Sequence, residues 1–272
     1  MLRSMYSGVS GMRGFQTKLD VIGNNIANVN TVGFKAGRVM FKDILSQSMS
    51  GVTAPEEGAR GGVNAKQVGL GVTVASIDTI HTAGSAMTTS VATDLRIDGD
   101  GFFVVSPDGG DTQYLTRAGN FTLDAARQLV NADGMFVMSA EGGGPITLEE
   151  GVTAFSISQT GEIISIGQDG VATPTGISIG VAMVVNPGGL EKVGGNLYRL
   201  TPNADTEELV VGLAGDAEAG SGTIISGQLE MSNVDLTGEF TEMIVAQRGF
   251  QSNSRIITTS DEILQEIVNL KR

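Results

Sequence analysis

Apolar side chains follow three regimes along the chain. Near the start, Leu2, Met5, Val9, Met12, Leu19, Ile22 and Ile26 recur at spacings of three, four or their sum, with Phe15 beside the one missing step at Gln16. That period predicts an amphipathic helix of about 25 residues with a heptad-like seam, roughly 38 Å long at 1.5 Å per residue. Asn28, Asn30 and Gly33 then supply chemistry that ends helices. Near the other end Phe240, Met243, Ile244, Phe250, Ile257, Leu264 and Val268 repeat the pattern. Asp235 or Thr237 stands where a cap belongs, Glu239 and Glu242 fall in the first turns, and Lys271 and Arg272 in the last. Gln247, Ser254 and Asp261 interrupt this second seam, and such polar lapses weaken fixed knobs-into-holes packing.

Between roughly residues 60 and 235 the period changes to that of strands. LRIDGDGFFVV, TRAGNFTLDAARQLVNADGMFVM, TAFSISQTGEIISI and ISIGVAMVV alternate apolar with polar positions or run apolar between turns. Turn pairs are frequent: Asp98-Gly99, Asp133-Gly134, Thr160-Gly161, Asp169-Gly170 and the run Pro187-Gly188-Gly189. No helical segment and no fixed-period repeat breaks this region, which excludes a parallel α/β sheet and a solenoid. The expected fold is mainly β with α-helical termini. Residues 1–30 and 238–272 form a discontinuous two-helix coiled-coil domain, 31–60 a connector and 61–237 a β-rich body.

Two helices paired as a hairpin cannot enclose both seams, and the stripe left over marks an interface with further copies. Packing of both helices on the β body satisfies the same periodicity, so the pattern alone leaves the two arrangements open.

Composition narrows the function. The chain has 272 residues, 39 of them glycine, with 40% hydrophobic and 17% charged side chains, enough apolar content for a packed core. Its formal charge of −13 argues against nucleic acid, whose phosphates require a basic surface. Residues 1–42 carry six bases against one acid, whereas residues 43–238 carry −17, which suits a soluble, self-repelling outer surface. The absence of cysteine removes disulfides and thiolate chemistry. No apolar run approaches membrane-spanning length, and the first residues lack the apolar core and cleavage site of a secretory signal.

Catalytic constellations are not recognisable. His81 is the single histidine and has no nucleophile elbow near it, so it reads as a lone histidine on a polar face. Asp98-Gly99-Asp100-Gly101 resembles the start of a calcium loop, but Phe102, Phe103 and Gly109 stand where a ligand, a glycine and an acid are required. The tight-turn reading follows, with Phe102–Val105 as a buried strand. Gly69-Leu70-Gly71 lacks the remainder of a phosphate loop. The acid pairs Glu56-Glu57, Glu149-Glu150 and Glu207-Glu208 lie in turn-like stretches. Glycosidase carboxylates can come from distant positions, yet only 5% of residues are aromatic and none is Trp, a poor supply of sugar platforms. An enzyme is not expected, nor any cofactor or metal. A secreted β-rich adhesin or binding module and a hydrolase are the alternatives from other classes.

The ends carry a resemblance. LDVIGNNIANVNTVGFK (residues 19–35) resembles the signature of bacterial flagellar rod and hook proteins, the axial family, and residues 233–272 resemble that family's C-terminal segment. IDGDGFFVV (97–105) and YLTRAGNFTLDAARQLVNADGMFV (114–137) are similar to its β-domain core. Within the family the chain is most similar to the short hook proteins of Gram-positive bacteria, and the distal rod protein shares its length and layout.

The resemblance implies a helical homopolymer whose terminal helices line a tube: a hook acting as a flexible universal joint from rod to filament, or a rigid distal rod. Its implied partners are further copies, the rod and hook-filament junction proteins, the hook cap and the flagellar type III export apparatus, which uses no cleaved signal peptide. That places the protein in the extracellular flagellum. The seam residues above, with Gln247, become subunit contacts. Asn24, Asn25, Asn28 and Asn30 end the first helix, and Gly33, Phe34 and Lys35 begin the connector. Phe41 with Leu45 four places on fits the family's short export motif.

Overall fold

The computed structural model describes residues 2–55, 61–110, 112–140, 144–148, 154–167, 171–205, 209–216 and 220–270. It is mainly β with a helix near each end, as the periodicity predicts. Two compact units divide the chain. One gathers Met1–Ala27, Gly37–Thr79 and Asp235–Arg272, and the other Asn28–Ala36 and Ile80–Val234.

The first unit contains helices α1 (Leu2–Ala27) and α2 (Leu236–Leu270), which pack against each other. Asp235 starts α2: its Oδ1 accepts from the Thr237 N–H at 3.0 Å and its carbonyl from the Glu239 N–H at 2.9 Å. Strands β1 (Gly37–Asp43), β2 (Ser46–Ser50), β3 (Lys66–Gly69) and β4 (Val72–Thr79) complete the unit as two antiparallel pairs, β1 with β4 and β2 with β3. Two of these strands fall in the stretch expected to be a plain connector, 31–60, and 61–79 groups with the helices. Strand pairing joins 37–43 to 72–79 across thirty residues of chain, a contact that local apolar period does not register.

The second unit is the β body. Phe102–Ser106 is the centre of a nine-stranded antiparallel sheet, flanked by Tyr114–Thr116, Phe136–Val137 and Val181–Ala182. Alternation splits its side chains between two cores. Phe103 and Val105 join Leu95, Ile97, Phe121 and Ile179, while Phe102 and Val104 join Leu115, Met138, Val184 and Tyr198. Both faces are covered, which explains the unbroken apolar run FFVV. The preceding Asp98–Gly101 segment is a turn, with Gly99 and Gly101 at φ of +116° and +126°.

Candidate assembly interface

The helix pair of the first unit meets along a row that apolar counting does not find. A Cβ on Gly8 would sit 3.5 Å from Asn253 and Ile257, one on Gly11 would lie 2.7 Å from Asn253 Nδ2, and one on Gly249 would lie 2.6 Å from the Phe15 ring. Lys18 pairs with Glu242 at 2.9 Å, and Asn25 Nδ2 donates to Glu239 Oε1 at 2.9 Å. The contact row of α1 therefore runs through Gly8, Gly11, Phe15, Lys18 and Asn25, antiparallel to Ile257, Asn253, Gly249, Glu242 and Glu239, and buried Ile22 falls on the same three-four repeat. Glycines let the two backbones approach closely, so interface and hydrophobicity part company here.

Most of the expected seam of α1 flanks this row. Met5, Met12, Leu19 and Ile26 recur every seven residues and are half-buried, as is Val9, and only Ile22 is buried. The side chain of Leu2 lies outside the described residues. On α2 the expected seam splits. Met243, Ile257 and Leu264 are half-buried, whereas Phe240, Ile244, Gln247, Phe250 and Val268 are exposed. Val245, Ile256, Ile263, Ile267 and Leu270 are exposed as well, on the other flank of the helix at about 100° per residue. Lys271 and Arg272 lie outside the described residues.

Among the described residues, the buried apolar side chains of this unit are only Ile22, Val39 and Ala246. Exposed large apolar groups outnumber them several-fold and continue along β1, β2 and the adjoining turns, with Met40, Ile44, Met49 and Val52 between 43% and 72% accessible. A surface of this kind marks a protein interface. Phe41 leans on Phe15, ring centroids 6.0 Å apart, and Leu45 is 62% exposed.

The Asn-rich signature divides between the two units. Asn25 is buried and acts as a clamp in the first. Its Oδ1 accepts from the Gly37 N–H and its Nδ2 donates to the Gly37 carbonyl, both at 2.9 Å, besides the bond to Glu239. Burial pushes the Glu239 carboxyl above its ordinary range, against the Asn25 hydrogen bond. Asn24 is exposed at the end of α1, and Asn28 opens the turn that follows by accepting from the Thr31 N–H.

Within the second unit Gly33 sits at φ +69°, and a Cβ there would lie 2.6 Å from the Ala118 nitrogen, so only glycine fits. Phe34 is buried beneath Lys192, whose Nζ stands 4.5 Å from the ring centre. Lys35 is fully buried. Its Nζ donates to Glu230 Oε1 at 2.5 Å and to the Thr82 carbonyl at 2.8 Å, while Arg117 meets the other Glu230 oxygen at 3.4 Å. Burial pulls the Lys35 ammonium below its ordinary range, and the charge of Glu230 opposes that shift. Glu230 and Arg117 are the partners that sequence reading missed, because they lie far from Lys35 along the chain.

His81 is half-buried rather than on a polar face. Its ring packs at 5.7 Å on Phe102 and 5.4 Å on Tyr198. Desolvation, with Lys35, Arg117 and Lys192 nearby, lowers its pKa to about 4. Among the described residues no nucleophile is hydrogen-bonded to it. The three acid pairs considered above lie outside the described residues, and among those described no cluster of His, Asp and Glu fit to hold a metal is present.

Fold and surface together define a class: a structural protein whose helical unit leaves rows of large apolar side chains exposed. Comparison with known proteins agrees. Residues 5–35 match the family described as flagella basal body rod protein, residues 96–171 the flagellar hook protein FlgE/F/G D1 domain, and residues 225–270 the flagellar basal body rod FlgEFG protein C-terminal. The chain is 55% identical to the flagellar basal-body rod protein FlgG of Bacillus subtilis (strain 168), covering 100% of both chains. It is 31% identical to the flagellar hook protein FlgE of Borreliella burgdorferi over 449 aligned residues, again spanning both chains, and 56% identical to the FlgE of Treponema pallidum over 131 residues, 48% of this chain and 28% of that one. The chain belongs to the flagellar rod and hook axial protein family.

Proposed function

We propose that the protein is a subunit of the distal rod of the bacterial flagellum, polymerising with itself into a rigid drive shaft, and not the hook subunit that the closing residues first suggest. The observation that carries this reading is end-to-end correspondence with a rod protein. At 55% identity the two chains align without remainder, whereas hook relatives match over part of their length or across 449 aligned positions. The likeness of residues 233–272 to hook proteins then reflects a C-terminal segment that rod and hook share, a reading supported by the FlgEFG name of the matching family and the FlgE name of the hook relatives.

On this reading the apolar rows flanking the helix contact are the subunit contacts of a tube: Met5, Met12, Leu19 and Ile26 on α1, and Phe240, Ile244, Phe250 and Val268 on α2. Gln247 stands exposed among them. The neighbours at the two ends of the polymer are other rod proteins and the hook. Export runs through the flagellar type III apparatus, with Phe41 and Leu45 read in the unfolded chain. Immunogold labelling of purified hook–basal bodies tests the assignment. Label on the straight shaft within the envelope is expected, and label on the curved segment outside it overturns the rod reading in favour of the hook.

A further inference from the structure

The two helices differ in length, 26 residues against 35, and their pairing fixes where the difference falls. With Gly8 opposite Ile257, the start of α1 comes opposite about residue 263, so the last seven residues of α2 run past it by about 10 Å. From residue 262 to its end, α2 is apolar on one side. Ile263, Ile267 and Leu270 stand at i, i+4 and i+7, 48%, 50% and 85% exposed, and Glu262 and Glu266 form the adjacent stripe.

The same unit holds a groove that its own α2 does not enter. It lies between α1 and the strand region, with a volume of about 470 Å³, and is lined by Tyr6, Val9, Arg13, Ile44, Leu70 and Val72 among others. These positions of α1 lie on a different face from the row Gly8, Gly11 and Phe15 that meets α2. Arg13 is exposed in the groove, and Arg3, seven residues before Ser10 of the lining, shares its face. Neither makes an ion pair among the described residues. The α2 helix runs unbroken to Leu270, so it cannot fold its own end back into this groove.

We propose that the overhanging end of α2 docks in the α1 groove of a second copy, with Ile263, Ile267 and Leu270 filling the apolar floor and Glu262 and Glu266 facing Arg13 and Arg3. This rests on the self-assembly reading and specifies one of its contacts. Knob and groove lie on different parts of one molecule, so the contact is heterologous. Every subunit that accepts an end offers another, which generates an open helical polymer where the rotation between copies does not close into a ring.

The cysteine-free sequence allows a direct test in the full-length protein. Variants Val9→Cys and Ile267→Cys are co-assembled and treated with a flexible bismaleimide. A covalent dimer containing one of each variant is expected, well above the homodimers from either variant alone. Polymer that forms without the mixed dimer overturns the proposed contact and leaves the rod assignment standing. Independently, Ile263→Asp with Ile267→Asp in one chain should raise the concentration needed for polymer about tenfold or more while the monomer keeps its helical circular-dichroism signal. Polymerisation of that variant at the wild-type concentration also overturns the contact.

Discussion

Side chains of one type take different work according to what surrounds them. Lys35 is one of 17 basic residues, yet it is fully buried and held by Glu230, while Arg3 and Arg13 face solvent. Removing one member of such a buried set strands the others, which makes it costly to alter. His81 belongs to the same neighbourhood, facing Lys35, Arg117 and Lys192 as charges and Phe102 and Tyr198 as rings. Its pKa is lowered from 6.5 to about 4 in the folded state. Between those values the unfolded chain binds a proton that the folded chain does not, so stability falls as pH drops from about 6.5 towards 4 and is unaffected above that window. Replacing His81 with Phe keeps an aromatic ring in place and removes the titration. Thermal midpoints at pH 7 and pH 5 should therefore lie closer together in the variant than in the wild type, and equal spacing in the two proteins contradicts this role. The signature LDVIGNNIANVNTVGFK was visible in the sequence, but the partners of Asn25 and Lys35 were not. Glu239 and Glu230 are each about two hundred residues away, and nothing in a local pattern encodes such a pairing.

At the level of elements, the helices were legible as helices, but not which of their faces meets which partner. Apolar period found α1 and α2 to within a few residues of their ends. It grouped Met5, Met12, Leu19, Ile22 and Ile26 in one seam without separating contact within the hairpin from contact between copies, because glycine scores as nothing. In the structure Gly8, Gly11 and Gly249 set the approach of the two helices, and the apolar rows are displaced to its edges. Gly11→Leu tests the difference. A leucine there must displace the Asn253 side chain and then fit its own branched end between the two helices, and overpacking of this kind costs roughly 1–3 kcal/mol against a gain of about 1 kcal/mol from replacing a helical glycine. The variant should show a lower thermal midpoint for its helical signal and a reduced polymer yield. Met12→Ala, at the flank, should lower polymer yield with a smaller change in the monomer midpoint. If the two substitutions affect the monomer equally, the assignment of the glycine row as the inner contact fails.

For the whole molecule, the question is which parts are stable without neighbours. The β body has two well-filled cores, so its residues hold one another in place. The helical unit is built from three distant stretches of chain and buries only Ile22, Val39 and Ala246 among its described apolar side chains. Conformational entropy of ordering a residue is about 1–2 kcal/mol, and a unit with so little buried apolar surface is only marginally stable unaided, formed in the monomer but opening readily. Much of its stability must come from adjoining subunits, as for a protomer whose fold and assembly are linked. The sequence period put the edge of the self-sufficient body at residue 61, whereas strand pairing moves 37–79 into the dependent unit. Hydrogen exchange read by mass spectrometry separates the two boundaries. In the monomer, amides of 2–27, 37–79 and 235–270 should exchange fast, while 95–106, 114–117 and 179–184 stay protected. In the polymer the three fast stretches should slow by orders of magnitude and the body should change little. Protection of 61–79 in the monomer equal to that of the body would return the boundary to residue 61. Protection of both helices equal to that of the body would mean that the helical unit is complete in one chain and that its apolar rows have no neighbour to serve.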